Sequence, residues 1–420
     1  MIQYNSYKFR IYPTKEQEEQ LFKTIGCARK VYNELLAQSL ENYDKYSKKE
    51  ITEDEYKALM KNVQYSRLKT IYPYLKEVDS LALANAKNNL DTAYKNFYQG
   101  KSERPVFKKK NVHKWSYTTN VSNKNKPNIK LMKNGYLKLP KLKEPVKIKN
   151  HRNTKGVLKS ITITKQKNNH WYASLKYEQN IKTPNYHKSI NSINNPGAGD
   201  LGLKDLMTLD NGVIIENIKT AYKYKEDLAK AQKIMSRRRE QAKKDGKRLS
   251  DAKNYQKAKL KVARIHDKIK RVREDYLHKI THYIVNNYDC FVLEDLHSSN
   301  MMKNHNLAFS IQDVSWNKLV NFLTYKMFRK GGSLIIIDQF YASTQECSNC
   351  HSITGPKGFD NLNVRKWECS HCGAYHHRDV NAARNILMEG LRLLNDVFDR
   401  WGNGDFYFEK SRLVNKDLLV

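Results

Sequence analysis

Near its carboxyl end the chain carries Cys347-Ser348-Asn349-Cys350, then eighteen residues, then Cys369-Ser370-His371-Cys372. Two C-x2-C turns, each offering two thiolates at tetrahedral spacing, predict one structural zinc ion held by Cys347, Cys350, Cys369 and Cys372, hence a ribbon. Five positions beyond the last cysteine comes His377-Arg378-Asp379-Val380-Asn381-Ala382-Ala383. Asp379 therefore heads a helical segment, Val380 to Leu387, directly after the ribbon. A zinc knuckle abutting such a carboxylate points to a metal-nuclease site beside a ribbon that grips nucleic acid. The other two cysteines, Cys27 and Cys290, read as small buried hydrophobes, and unpaired cysteines of this kind fit a reducing compartment.

The charge names the partner. Lys and Arg number 77 against 43 Asp and Glu, a formal charge of +34, which suits a polyanion. The 27 tyrosines add stacking faces that favour single-stranded or A-form nucleic acid, although most must serve cores and helix surfaces. No run of eighteen apolar residues occurs and Met1-Ile2-Gln3-Tyr4 opens no signal peptide, so a membrane role is not expected and a cytoplasmic location is.

Periodicity divides the chain. A strand near Tyr4–Tyr12 ends at Pro13. Thr14-Lys15-Glu16-Gln17-Glu18 is a helix-start signature, and Leu21, Ile25, Ala28, Val31, Leu35 and Leu36 recur at helical spacing. A second helical run spans Leu81 to Phe97 and stops at Gly100. Between Pro105 and Glu178 the period shortens to two. Lys159–Lys165 and Trp171–Tyr177 flank Gln166-Lys167-Asn168-Asn169-His170 as a hairpin whose partners should include the first strand. The boundaries expected are 1–13 for the first strand of a small β-barrel, 14–110 for a helical domain, and 111–195 for the rest of the barrel and a polar linker. An α/β domain over 196–340 and 376–395, the ribbon over 341–375, and a tail over 396–420 complete the chain. The pattern does not decide whether the residues after Leu387 are ordered.

Within the α/β region, Asp200 opens a hairpin turned at Asn211-Gly212. A long helical pair follows, with 21 Lys/Arg against 8 Asp/Glu over residues 221–280. Its apolar stripe, Ile265, Ile269, Val272, Tyr276, Ile280 and Ile284, predicts one packed face and one cationic face that meets phosphates. Cys290-Phe291-Val292-Leu293-Glu294 then reads as a buried strand ending in a carboxylate, where open α/β sheets place ligands. A second apolar strand, Leu334 to Ile337, leads to Asp338 and the ribbon. Asp200, Glu294 and Asp379, from separate elements, form the oxygen set that a two-magnesium phosphodiesterase requires.

These residues carry a resemblance over nearly the whole chain. Tyr7-Lys8-Phe9-Arg10-Ile11-Tyr12-Pro13-Thr14, Gly26-Cys27-Ala28-Arg29-Lys30-Val31-Tyr32-Asn33, Asp200-Leu201-Gly202-Leu203-Lys204-Asp205-Leu206, Val292-Leu293-Glu294-Asp295-Leu296, the four cysteines, and Arg378-Asp379-Val380-Asn381-Ala382-Ala383-Arg384-Asn385-Ile386 resemble TnpB. That is the transposon-encoded family of RNA-guided DNA endonucleases related to compact type V CRISPR effectors.

The resemblance implies a multidomain α+β fold: an N-terminal helical recognition domain, a β-barrel wedge domain, and a RuvC-like, RNase H-type nuclease with the zinc ribbon inserted before its last acid. It implies that Asp200, Glu294 and Asp379 are catalytic and bind Mg2+. It further implies a guide RNA and double-stranded target DNA as partners, a short protein-read DNA motif beside the target, and an RNA-bound monomer in preference to other oligomers. The alternatives are a nuclease-inactive RNA-guided DNA-binding regulator and a DNA transposase acting without RNA. Two positions depart from the family pattern. Ala198-Gly199 precedes Asp200 where a β-branched or apolar residue is usual, which should loosen the strand, and His377 stands where a further Asp is frequent. His376, His377 and His371 are expected to support the ribbon or its surface.

Overall fold

The computed structural model describes residues 1–110, 114–122, 127–182, 184, 189–357, 361, 363–401, 406–409 and 412–415. Parts of the expected barrel (111–113, 123–126), linker (183, 185–188), ribbon (358–360, 362) and tail (402–405, 410–411, 416–420) lie outside the described residues. The chain divides into two compact units, Met1–Lys182 and Thr183–Val420.

In the first unit β1 (Ile2–Tyr12) leads through Pro13 into α1 (Lys15–Ser47). The start is fixed by a capping box: the Thr14 hydroxyl accepts from Gln17 N while the Gln17 side chain accepts from Thr14 N, satisfying two otherwise orphaned donors. Three helices follow, α2 (Glu53–Lys61), α3 (Tyr65–Ile71) and α4 (Ser80–Tyr98). Leu35, Leu36, Leu83 and Leu90 are buried where these helices meet. Gly100, past the end of α4, takes the left-handed conformation expected of a helix stop.

The strands β2 (Trp115–Asn120), β3 (Lys130–Leu131), β4 (Tyr136–Lys138), β5 (Val146–Ile148), β6 (Val157–Lys165) and β7 (Trp171–Asn180) join β1 in one seven-stranded sheet, in the order β2-β6-β7-β1-β5-β4-β3. β6 and β7 form the hairpin that alternation predicts, and β1 pairs with β7 along ten residues. One face buries Phe9, Ile11, Ile161, Ile163, Ala173 and Leu175 against Leu21 and Ile25 of α1.

The second unit is built on a five-stranded sheet in the order β10-β9-β8-β11-β12: β8 (Pro196–Leu201), β9 (Asp205–Leu209), β10 (Ile214–Glu216), β11 (Cys290–Glu294) and β12 (Ser333–Ile337). β8, β9 and β10 form an antiparallel meander, whereas β11 runs parallel to both β8 and β12. The connections are α5 (Thr220–Lys223), α6 (Lys225–Lys244) and α7 (Lys253–Asn287) before β11, then α8 (Ser298–Met301), α9 (His305–Val314) and α10 (Trp316–Lys330) before β12. The ribbon carries β13 (Lys366–Glu368) and β14 (Tyr375–His377), which pair antiparallel. α11 (Arg378–Trp401) follows, well past Leu387, and the hairpin of β15 (Phe406–Glu409) with β16 (Arg412–Asn415) ends the described chain.

Alternation along β11 sorts its side chains between two layers. Phe291 and Leu293 join the core that includes Leu277 and Ile284 of α7 and Leu319 and Leu323 of α10. Cys290 and Val292 pack with Ala198, Ile335, Ile337 and, from α11, Ile386 and Leu394. The sheet is thus covered on both faces, which is why β11 and β12 read as continuous apolar runs. The stripe expected along α7 needs correction at Val272, which is 39% exposed, while Leu277 and Val285 are buried. At 100° per residue the buried Leu277, Thr281 and Val285 lie roughly 100° around the helix from Val262 and Ile269, so the packed face itself turns along α7 and leaves Val272 beside it.

Gly199 does not loosen β8. A Cβ there would lie 2.3 Å from Met207 Sδ and 2.6 Å from its Cγ, so glycine admits the buried Met207 of β9. Among the described residues no helix is long and apolar enough to cross a membrane.

Candidate carboxylate and four-cysteine sites

The parallel register of β8 and β11 pairs Gly199 with Leu293, so the next residues, Asp200 and Glu294, come at the same level at the carboxyl ends of adjacent strands. By alternation both share the face of Ala198 and Val292, the face that α11 covers. Asp379 lies in the first turn of α11. At 100° per residue, Asp379, Ala383, Ile386 and Gly390 fall on one side of that helix, the side that reaches the sheet. The approach is close: a Cβ on Gly390 would sit 2.4 Å from Val292 Cγ1.

Electrostatics registers the convergence. Burial pushes the Asp200 carboxyl up to about 8, with the charges of Glu294 and Asp379 adding to the effect and those of Arg378 and Arg365 opposing it. Burial likewise pushes Glu294 up to about 7, with Asp338 and Asp295 contributing. Glu294 pairs with Ile337 in the β11–β12 register, which brings Asp338 beside the site, where its Oδ1 accepts from Phe340 N at 2.7 Å. Arg365 Nη1, from the segment before β13, donates to the two oxygens of Asp379 at 3.1 and 3.3 Å. Upstream, Asp210 Oδ1 accepts from Ala198 N at 2.9 Å and Arg384 Nε of α11 donates to Asp210 O at 3.2 Å, which ties β8 to the helix just before Asp200.

These donors suit a hard divalent cation. All three candidate ligands offer carboxylate oxygens, the preference of magnesium. Two carboxyls pushed upward, first by burial and then by neighbouring acids (Glu294 and Asp379 for Asp200, Asp338 and Asp295 for Glu294), are what a bound cation would relieve.

Cys347, Cys350, Cys369 and Cys372 come together with ligand atoms all within 4.8 Å of one another. The Sγ separations are 3.7 Å for Cys347 with Cys372 and 3.6 Å for Cys350 with Cys369. The edge of a tetrahedron with Zn–S bonds of 2.3 Å is about 3.8 Å, so the cluster has the dimensions of a structural zinc site. His376 is buried, its Nε2 lies 3.0 Å from Cys347 Sγ, and its ring lies against Trp367. It supports the ribbon, as expected. Sequence reading missed Arg365, for which no local pattern exists. It also missed Asn381 and Asn385, whose i, i+4 spacing in a helix was a usable signal because asparagine is a poor interior helix former.

Two carboxyls at the ends of adjacent parallel strands, a third in the first turn of the helix packed on that face, and a four-cysteine ribbon preceding that helix define an α/β protein with a zinc-type appendage. Among the described residues the cysteines gather their ligand atoms within 4.8 Å and the three acids do not. Family models match three stretches: "Helix-turn-helix domain" over residues 1–49, "Probable transposase" over 192–305 and "Cas12f1-like, TNB domain" over 316–386. The first stretch here forms the strand β1 and the single long helix α1. A Streptomyces pristinaespiralis protein named "Putative RNA-guided DNA endonuclease" is 33% identical over 390 residues, covering 92% of this chain and 89% of its own. The Escherichia coli K12 protein named "Putative RNA-guided DNA endonuclease InsQ" is 30% identical over 420 residues, with 94% of each chain covered. The chain belongs to the TnpB family of IS605-type elements. A solved structure titled "Cryo-EM structure of the Cas12f1-sgRNA-target DNA complex" aligns with a TM-score of 0.60 at 13% identity, covering 92% of this chain and 98% of that one. At that identity the likeness is one of fold.

Proposed function

We propose that this chain is an RNA-guided DNA endonuclease of a transposable element, cutting target DNA at a RuvC-like site formed by Asp200, Glu294 and Asp379. The observation that carries the reading is the parallel register that levels Asp200 with Glu294, beneath the helix whose first turn carries Asp379. The relatives' names, with near full-length coverage, support the guided activity, and the formal charge of +34 supports polyanionic partners.

In this reading Asp200, Glu294 and Asp379 would hold Mg2+, which when bound supplies an activated water and charge stabilisation at the leaving oxygen. The chain's own contribution is placement. Two strand ends fix two carboxylates, α11 fixes the third, and Arg365 neutralises Asp379 until a cation takes its place. Cys347, Cys350, Cys369 and Cys372 hold a structural zinc. The seven-stranded sheet serves as the wedge domain and α1–α4 as the recognition domain, together holding a guide RNA and target duplex, with a short DNA motif read beside the target. The exposed cations of α6 and α7 meet phosphate backbone.

The test is to express the protein with its native flanking DNA and sequence the RNA that co-purifies. One abundant RNA whose end matches flanking DNA, and Mg2+-dependent cleavage of DNA complementary to that end, are the expected results. Asp200→Ala and Glu294→Ala should abolish cutting and leave RNA binding intact. Heterogeneous RNA with no cleavage would refute the guided reading, and loss of RNA binding in either variant would refute the assignment of those acids.

A further inference from the structure

Two asparagines on α11 are enclosed more completely than any acid of the site. Asn381 is 1% exposed and Asn385 0%. By helical geometry they lie on the side of α11 opposite Asp379, Ile386 and Gly390, so they face away from the sheet. The chain leading into the first cysteine pair covers them. Asn381 Nδ2 donates to Glu346 O at 2.7 Å and to Ser343 O at 3.4 Å, while its Oδ1 accepts from Ser348 N at 2.9 Å. Asn385 Nδ2 donates to Ser343 O at 2.8 Å and Glu346 O at 2.6 Å, and its Oδ1 is left buried without a partner.

That pattern has a specific meaning. Asparagine inside a helix is unfavourable by propensity, and a buried amide oxygen without a partner carries a desolvation cost. Both are tolerated where the amide's other bonds join two elements that would otherwise separate. Ser343, Glu346 and Ser348 bracket Cys347, whose N donates to Ser352 O at 2.9 Å while Glu346 bridges to Ile353. The knuckle is therefore one closed loop, shut at one end by the cysteines and bolted at the other to α11.

We propose that Asn381 and Asn385 are positioning residues that make the orientation of Asp379 depend on the folded cysteine ribbon. The inference rests on the reading of Asp379 as a site carboxylate. α11 is clamped between the sheet, through Ile386 and Gly390, and the first knuckle, through the two amides. Its first turn has no earlier helical residue to brace it, because Asp379 follows β14 after a single residue. Loosening the knuckle therefore frees the turn that carries Asp379, with no change in the acids themselves.

The experiment uses the full chain with its co-purified RNA and follows amide hydrogen exchange with cleavage, DNA binding and zinc content. Stripping zinc from the wild type should speed exchange in the knuckle, residues 343–352, and in the first turn of α11, residues 378–383, while β11 keeps its protection. Asn381→Ala and Asn385→Ala, with zinc still at one per chain, should speed exchange in that first turn. They should raise the Mg2+ concentration for half-maximal cleavage about tenfold and leave DNA binding within about twofold. Asn385→Gln, which keeps an amide but lengthens its reach, should fall between. Should an alanine variant lose its fold, Asn381→Ser keeps a small neutral polar group in the buried site while removing the amide that reaches both Glu346 O and Ser343 O, and it must show the same shift in Mg2+ dependence. Zinc removal that loosens the ribbon while α11 stays protected, or variants that cut with unchanged Mg2+ dependence, overturns the proposal. A wild type that binds DNA but does not cut at any Mg2+ concentration overturns the nuclease reading instead, and the exchange data still decide whether the clamp exists.

Discussion

Replacing Asp200 with asparagine should stabilise the magnesium-free protein while abolishing its cleavage. The Asp200 carboxyl is pushed up to about 8 in the folded chain from an ordinary 3.8. A raised carboxyl means that folding opposes ionisation. Below about pH 4 the group is protonated in both states and contributes nothing. As pH rises from 4 towards 8 the unfolded chain releases the proton that the folded chain keeps, and stability is lost throughout that window. Each unit corresponds to about 1.4 kcal/mol, so the roughly three units between the unfolded value and pH 7 set a ceiling of about 4 kcal/mol. Asp200 retains partial contact with solvent, and neighbouring carboxyls relax when one is neutralised, so about 1–2 kcal/mol is the expected gain. In a unit of this size that raises Tm by roughly 2–8 °C.

The assay is thermal unfolding of wild type and Asp200→Asn, zinc-loaded and free of magnesium, at intervals from pH 5 to pH 8.5. The variant's advantage should be small at pH 5 and grow to a plateau near pH 8. Added Mg2+ should raise the wild-type Tm and leave the variant's unchanged. A variant less stable than wild type at pH 8, or an advantage independent of pH, would show that Asp200 is held by structural bonds and would refute the reasoning.

Other expectations rest on individual side chains. Gly390→Ala places a methyl group against the branched Val292 side chain, so α11 must shift and the chain should lose about 1–3 kcal/mol in urea unfolding. Arg273→Met removes the 2.7 Å ion-pair partner of Asp313, whose carboxylate is 2% exposed and also accepts from Ala221 N. Leaving that charge without its cation should cost about 3 kcal/mol by the same measurement. Changing Arg237, Arg238 and Arg239 of α6 to glutamine should leave Tm within about 1 °C. The same change should lower the salt dependence of nucleic-acid affinity by roughly one in log–log slope for each phosphate that is no longer neutralised. An unchanged slope would remove α6 from the interface.

Legibility in the sequence followed how local each signal is. The cap at Thr14, the turn between β6 and β7, the end of α4 and the two cysteine pairs are decided by residues within a few positions of each other, and the structure has them where the pattern puts them. Glu294 was legible because a buried strand ends on it. Arg365 was not, since nothing near it in sequence announces that Asp379 lies opposite. Gly199 misled for the same reason: read alone it weakens a strand, but beside Met207 it is the residue that lets two strands close. Val272 failed through geometry, because the packed face turns around α7 between Ile269 and Leu277 and a stripe at fixed spacing does not turn with it.

The proposed carboxylate site and the four-cysteine cluster place opposite demands on the chain, and α11 is where they are reconciled. Carboxyls brought together without a cation resist ionisation, and as pH rises towards 8 and Asp200 and Glu294 lose their protons they push the strand ends and the helix apart. Strand ends resist because β8, β11 and β12 are hydrogen-bonded along their length. The first turn of a helix has no such ladder. A four-cysteine knuckle supplies the missing restraint, since its closure depends on thiolates and not on the charge state of the acids. Placing the ribbon immediately before Asp379, with two amides of the same helix bonded into the knuckle, sets a carboxylate against its own electrostatics without burying a compensating cation that would later compete for the site. Arg365, half-exposed beside Asp379, is the exception that tests this view: on the exposed side of the cluster it can leave when a stronger cation arrives.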